Sequence, residues 1–274
     1  MNHKHSIYYK YDAETCVRLH HGLIILIALI FGGGSVAALW ISMFPGREPA
    51  LIIALLLFFC YYFILRRIPI VMLQGVLHRD CDAVKMKDII FIIENKVKVE
   101  HAKIIWRMLR AQALSFIGGC EQESFELLQT CKGYKKNMGN EMFCLSLHMR
   151  HYLVTEQWEN YEKVKEKAEN LYKTQKLSKK NKLMYEQYMK GSVAREKFSA
   201  GEFEEARNLY QGLLDTGKSN MLNMVTIHSM LAAMDIKEGK YESAKQHLTF
   251  IAQNGGTTYM ADEAKEILQR FKQE

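Results

Sequence analysis

The chain has 274 residues, a formal net charge of +7 and 49% hydrophobic residues. That length holds one sizeable soluble domain beside a long apolar segment. From Val76 onward 31 Lys/Arg are interspersed with 27 Asp/Glu, a solvated-surface pattern that argues against a nucleic-acid-binding face. The six cysteines include no C-x-x-C pair, which argues against a disulfide framework and suits a reducing compartment.

Residues 1–21 form a polar tail with His3, His5, His20 and His21 and with Tyr8, Tyr9 and Tyr11. The histidines lack the fixed spacing of metal sites, so the tail reads as interface-seeking rather than as a metal chelate. Asp12 is placed to cap a helix running into the next segment.

Gly22 to Phe44 is 23 residues long and uncharged. As a helix it spans about 34 Å, against a hydrocarbon core of about 30 Å. The break Pro45-Gly46-Arg47-Glu48-Pro49 follows, and then a second apolar run ending in Tyr61, Tyr62 and Arg66-Arg67. The expectation is a two-pass transmembrane hairpin over 22–73, with spans 22–44 and 49–73. Lys4, Lys10 and Arg18 precede it, Arg47 sits in the loop, and Arg66, Arg67, Arg79, Lys85 and Lys87 follow. Positive charge favours the inner side, so both termini and the large domain are expected in the cytoplasm of a cell-membrane protein. Ser35-Val36-Ala37 resembles a signal-peptidase site, but the long, acid-containing leader favours an uncleaved anchor. The small residues Gly32, Gly33, Gly34, Ser35, Ala37 and Ala38 are suited to helix packing, either against the second span or in a homodimer. The absence of a mid-span ionisable residue disfavours a transporter or channel.

Residues 77–274 read as all-α. No proline follows Ile70, apolar residues recur at helical spacing, and glycines such as Gly118-Gly119, Gly133, Gly201, Gly217 and Gly239 punctuate the runs. Lys176, Lys179, Lys180 and Lys182 read as a solvated interhelical loop. Two stretches 38 residues apart repeat one pattern. The first has Ala194, Gly201, Phe203 and Ala206; the second has Ala232, Gly239, Tyr241 and Ala244. Glycine turns the chain between antiparallel helices, the aromatic anchors the second helix, and alanine lets the helices cross closely. This pattern resembles the tetratricopeptide repeat over 182–254. Upstream, Glu156-Gln-Trp158-Glu-Asn-Tyr161 keeps the aromatic but has glutamate for glycine and tyrosine for alanine, and Gly119 to Ser124 keeps only the glycine. The amphipathic stretch Met260–Lys272 has the character of a capping helix.

No nucleotide-binding, zincin or hydrolase motif occurs, and a non-enzymatic chain without cofactor is expected. Cys144, His148 and His151 share one helical face and are a weak alternative as metal ligands. The resemblance implies instead an α-solenoid whose groove would be lined by Arg150, Tyr188, Arg195 and Lys237, suited to an extended peptide with acidic character. The expected role is a membrane-tethered scaffold for a protein or peptide, with a peptide-responsive regulatory receptor as the alternative.

Overall fold

The computed structural model describes residues 5–44, 46–47, 49–131, 138–175, 179–216 and 219–271. Pro45 and Glu48 of the expected break, Gly133, Gly217, Lys176, Lys272, His3 and Lys4 lie outside the described residues, as do the side chains of Arg66, Arg67 and Lys180. The described residues are all-α and contain no strand. Contacts divide the chain into two units, 1–76 and 77–274.

In the first unit a helix begins at Ala13, nine residues before the uncharged run. Asp12 caps it, accepting the Thr15 N–H at 2.8 Å. The chain continues through α1 (Ala13–Ile27), a π-helical segment (Ala28–Gly33) and α2 (Gly34–Ser42) without leaving the helix. These 30 residues are long and apolar enough to cross a membrane. The helix α3 (Pro49–His78) runs five residues past the expected end of the second span and carries Pro69 inside it. Apolar stretches at Pro49–Tyr62 and Ile68–His78 flank the side chains left undescribed.

The two apolar helices meet through their small residues. A Cβ on Gly34 would lie 3.3 Å from Leu57, and one on Gly32 would lie 3.9 Å from Tyr61. As the first position advances by two the second retreats by four, which is antiparallel pairing. Ser35, Ala38 and Ala54 are buried. Gly33 has nothing within 4 Å of a Cβ, so the glycine run serves the hairpin on one side and leaves its other side open. Leu29, Ile30, Val36 and Trp40 on one helix of this pair, and Ile52, Leu56, Phe58 and Phe59 on the other, are more than half exposed.

The second unit is a succession of helices, α4 (Ala83–Lys96), α5 (Glu100–Leu114), α6 (Glu121–Gln129), α7 (Met138–Val154), α8 (Trp158–Thr174), α9 (Lys179–Ser199), α10 (Phe203–Asp215), α11 (Met221–Lys237), α12 (Tyr241–Asn254) and α13 (Tyr259–Arg270). Each packs on the next in sequence, α8 meeting α9 through side chains such as Tyr172 on Tyr185, ring centres 4.5 Å apart, and α7 also touches α5 and α9. Apolar clusters bridge successive helices. Met142, Leu145, Met149, Tyr161, Ala168 and Tyr185 join α7, α8 and α9, while Ala194, Phe198, Ala206, Tyr210, Ile227 and Met234 join α9, α10 and α11.

Three of the interhelical turns share one hydrogen-bond pattern. Gly201 and Gly239 hold φ of +81° and +72°, and the next residue in each case, Glu202 or Lys240, donates its N–H to a carbonyl five positions back, Lys197 or Asp235. This is a left-handed helix cap, where glycine carries no Cβ penalty. Glu156 stands where the repeat has glycine, and it adopts the same conformation at φ +55°, with Gln157 donating to Tyr152 at 2.8 Å. Ala194, Ala206 and Ala244 are fully buried and Ala232 nearly so, which fits close helix crossing. The aromatics differ. Phe203 packs against the α9–α11 cluster, whereas Tyr241 is 56% exposed and its ring meets Phe271, 5.7 Å away, instead of the preceding helix.

The end of this unit returns to its beginning. Thr257 donates its N–H to Cys81 O at 3.1 Å and its hydroxyl to Asp82 Oδ1 at 3.0 Å, and its Oγ1 accepts the Val84 N–H at 3.1 Å. Tyr259 N–H donates to Phe116 O at 2.9 Å. Gly256 sits at φ +56°, and a Cβ there would lie 2.5 Å from Cys81 O and 2.8 Å from Asp80 O. The last helical pair is therefore clasped to the loops that precede α4 and follow α5. The expected capping helix, α13, buries Met260, Ala261 and Ala264 and packs on α12 and α11.

Candidate functional site

The four side chains expected to line a groove fall into two pairs. Arg150, on α7, lays its guanidinium 3.8 Å from the centre of the Phe116 ring, beside the clasp. Tyr188, on α9, donates its hydroxyl to Ser146 O at 2.8 Å. Burial pushes its phenol above the usual tyrosine range, and the charge of Arg150 opposes that rise. Both side chains are half-buried between helices rather than presented as a free surface.

The second pair surrounds Phe198, at the end of α9. Arg195 holds its guanidinium 5.3 Å from the ring centre and places Nη1 2.8 Å from Met230 Sδ. Lys237, at the end of α11, holds Nζ 4.7 Å from the same ring and 5.8 Å from Phe203. Two cations thus share one aromatic, and Lys237 is exposed. Such an arrangement offers positive charge beside an apolar ring, which suits a carboxylate carried next to an apolar side chain. The cavity between α7, α8 and α9, lined by Met142, Ser146, Met149, Ala168, Tyr185 and Tyr188, has a volume of about 30 Å3. A water fits there and a small-molecule substrate does not.

Cys144, His148 and His151 lie along one face of α7. His148 Nδ1 donates to Cys144 O at 2.8 Å, which leaves Nε2 3.4 Å from Gln129 Nε2. His151 stacks on Phe125 with ring centres 4.1 Å apart. Burial, with Cys131 nearby, pushes the Cys144 thiol up to about 11, and its Sγ lies 3.6 Å from His148 Nδ1. Among the described residues no group of three or more His, Cys, Asp or Glu is arranged to hold a metal ion. Side chains at i, i+4 and i+7 share a face, and here the His148 imidazole bonds the Cys144 carbonyl while that of His151 stacks on Phe125.

The sequence reading missed a buried polar network at α10, α11 and α12. Asp235 is fully buried. Arg207 Nη2 lies 2.7 Å from its Oδ1 and 2.6 Å from Glu238 Oε2. Ser243 donates to Asp235 Oδ2 at 2.5 Å, and His247 Nε2 stands 3.7 Å from the same oxygen. The Nδ1 atoms of His247 and His228 are 2.8 Å apart, so one donates and the other accepts. His228 stacks on Phe250, and burial, with His247 beside it, lowers its pKa to about 4. Burial lowers His247 as well, against the pull of Asp235. Burying a carboxylate is costly unless it is paired and hydrogen-bonded in this way. The sequence carried one signal of it, an aspartate on the apolar face of Leu231-Ala-Ala-Met234, but its partners come from other helices. The Ser243 hydroxyl is committed to the carboxylate and not to an imidazole, so the cluster does not form a nucleophile and base pair.

Comparison of the chain with protein-family models, with curated proteins and with solved structures gives no match.

Proposed function

We propose that the chain is a two-pass membrane protein whose helical domain, on the cytoplasmic side with both termini, is a non-enzymatic scaffold of tetratricopeptide-like hairpins that binds a protein or peptide. The observation that carries the membrane part is the surface of the first unit. Residues there pack inward with glycine, serine and alanine and turn leucine, isoleucine, phenylalanine and tryptophan outward. Water disfavours that inversion and lipid accommodates it, because helix association in a bilayer relies on close approach of small residues. The repeat reading draws on the shared left-handed turns at Glu156, Gly201 and Gly239 and on the buried alanines beside two of them. The binding reading draws on the cations gathered at Phe198, with Lys237 exposed.

Alkaline carbonate extraction of membranes tests the anchor: the chain is expected in the pellet, and release into the supernatant refutes it. Membrane-impermeant labelling of a cysteine at Arg47 tests the two passes. Labelling from outside intact cells is expected there and not for a cysteine at Lys240; the reverse pattern refutes the topology. A photo-crosslinking residue in place of Lys237 is expected to capture a partner in a way that Arg195→Glu abolishes. Capture indifferent to Arg195 refutes the assignment of the binding face.

A further inference from the structure

Half-buried arginines of the second unit mostly have a carboxylate partner. Arg107 and Arg110 share Glu94 at 3.1 and 2.7 Å, and Arg207 lies 2.7 Å from Asp235 and 2.6 Å from Glu238. Arg150 and Arg195 differ. Among the described residues neither forms an ion pair, and each lies over a phenylalanine ring instead. Lys237, which shares the Phe198 ring with Arg195, forms no ion pair either.

The carboxylates beside these two cations are already committed. Glu196, next to Arg195 in sequence, is held by Lys165 at 2.9 Å. Glu202 and Glu205, at the start of α10, are held by Lys197. Glu238, next to Lys237, is held by Arg207 and by Lys240 at 2.6 and 3.0 Å, and Asp235 is held by Arg207. Arg195 directs Nη1 to Met230 Sδ, a weak acceptor. Two positive charges are therefore left beside one ring with no counter-charge from the chain itself. A charge held against apolar side chains gains more from a carboxylate than one in open water, because the local dielectric is lower. Arg150 stands apart from this corner, on Phe116.

The ring also limits the separation of the charges. The Arg195 guanidinium is 5.3 Å and Lys237 Nζ 4.7 Å from its centre. The two charges are thus no more than about 10 Å apart, and side chains at i and i+2 of an extended peptide leave the same face about 7 Å apart. Neighbouring residues point to opposite faces, so i and i+2 is the closest pairing an extended segment can present to one surface.

We propose that the Phe198 corner receives an extended peptide segment with acidic residues at i and i+2, one carboxylate on Arg195 and the other on Lys237, their methylenes passing over the ring. This rests on the peptide-binding reading above and names the charge pattern that the site selects. A single acid satisfies one cation and leaves the other uncompensated, so the pair is favoured over either acid alone.

The test selects random peptides of about a dozen residues, displayed on phage, on the full chain in phosphatidylcholine nanodiscs, with empty nanodiscs as background. Enriched peptides are expected to carry Asp or Glu at i and i+2, and a labelled synthetic copy should lose roughly tenfold in affinity when either acid becomes glutamine. Lys237→Gln, at an exposed position, should cost a similar factor, and on that variant one of the two glutamine peptides should lose nothing further. Arg195→Gln should do the same for the other acid. Enriched peptides that need both cations yet carry one acid, or a pair at another spacing, overturn the proposal and leave the binding reading standing. Tighter binding of a synthetic peptide with one phosphoserine in place of the pair assigns the corner to a phosphorylated partner and overturns the proposal. Affinity unchanged by Lys237→Gln also overturns it. No enrichment over empty nanodiscs overturns both readings.

Discussion

Replacing Gly256 by alanine is expected to open the clasp that joins the two ends of the helical domain. Two effects add. The residue sits at φ +56°, where a Cβ costs about 1 kcal/mol or more relative to glycine. The new methyl would also approach Cys81 O to 2.5 Å and Asp80 O to 2.8 Å, distances at which backbone must shift. A shift of residues 80–81 strains the Thr257 hydrogen bonds to Cys81 and Asp82 and the one it accepts from Val84, each worth about 1 kcal/mol. The expected loss is about 3–4 kcal/mol. Gly201→Ala and Gly239→Ala are the references, since both have positive φ but nothing within 4 Å of the added Cβ. They should lose only the conformational part, about 1 kcal/mol. Urea titration of the full chain in detergent, followed by circular dichroism, measures all three. Hydrogen exchange of the Val84 and Tyr259 amides localises the opening. If Gly256→Ala loses no more than Gly239→Ala and those two amides stay protected, the clasp is not a contact of the folded protein.

The converse substitution, Glu156→Gly, relieves a glutamate at φ +55° and should raise stability by about 1 kcal/mol in the same titration; destabilisation would mean that the turn lacks the left-handed conformation. Asp235→Ala leaves Arg207 facing an apolar interior with only Glu238, and a loss of about 3 kcal/mol is expected. A loss under 1 kcal/mol would place Asp235 in solvent. Because His228 titrates near 4 in the folded chain, below its unfolded value, the unfolded chain binds more protons between these limits. Stability should therefore be whole above about pH 6.5 and decline as pH falls toward 4, by roughly 1–2 kcal/mol after allowance for partial exposure. His228→Gln should flatten that part of the profile, and an unchanged slope would assign it to other groups. Gly34→Leu should push Leu57 away and weaken the apolar hairpin, seen as reduced crosslinking between cysteines placed at Ser35 and Ala54.

Local patterns accounted for much of what the sequence made legible. Asp12 as a cap, the all-α class, the glycine turns at 201 and 239 and the buried alanines beside them each depend on a few neighbouring residues, so spacing exposes them. The extent of the helices was less legible. Ala13–Ser42 and Pro49–His78 run well past the uncharged core of each segment, because helix continues wherever backbone bonds can, whatever the hydropathy. The candidate groove shows the same division. Arg195 and Lys237 were identified from the repeat pattern, and their convergence on Phe198 follows from helices α9 and α11 lying near one another. That Arg150 would instead lie against Phe116, and Tyr188 bond to Ser146, depends on which loops those helices meet.

The sequence by itself determined the apolar segments, the helical class and the turn positions, since periodicity and chain length express those directly. Tertiary structure alone decided the clasp between Thr257 and residues 81–84, the burial of Asp235 among partners from two other helices, and the contacts that occupy His148 and His151. Each of these joins groups that are distant in sequence or fixes which atom of a side chain is already occupied. Neither quantity has a period, so neither can be read along the chain.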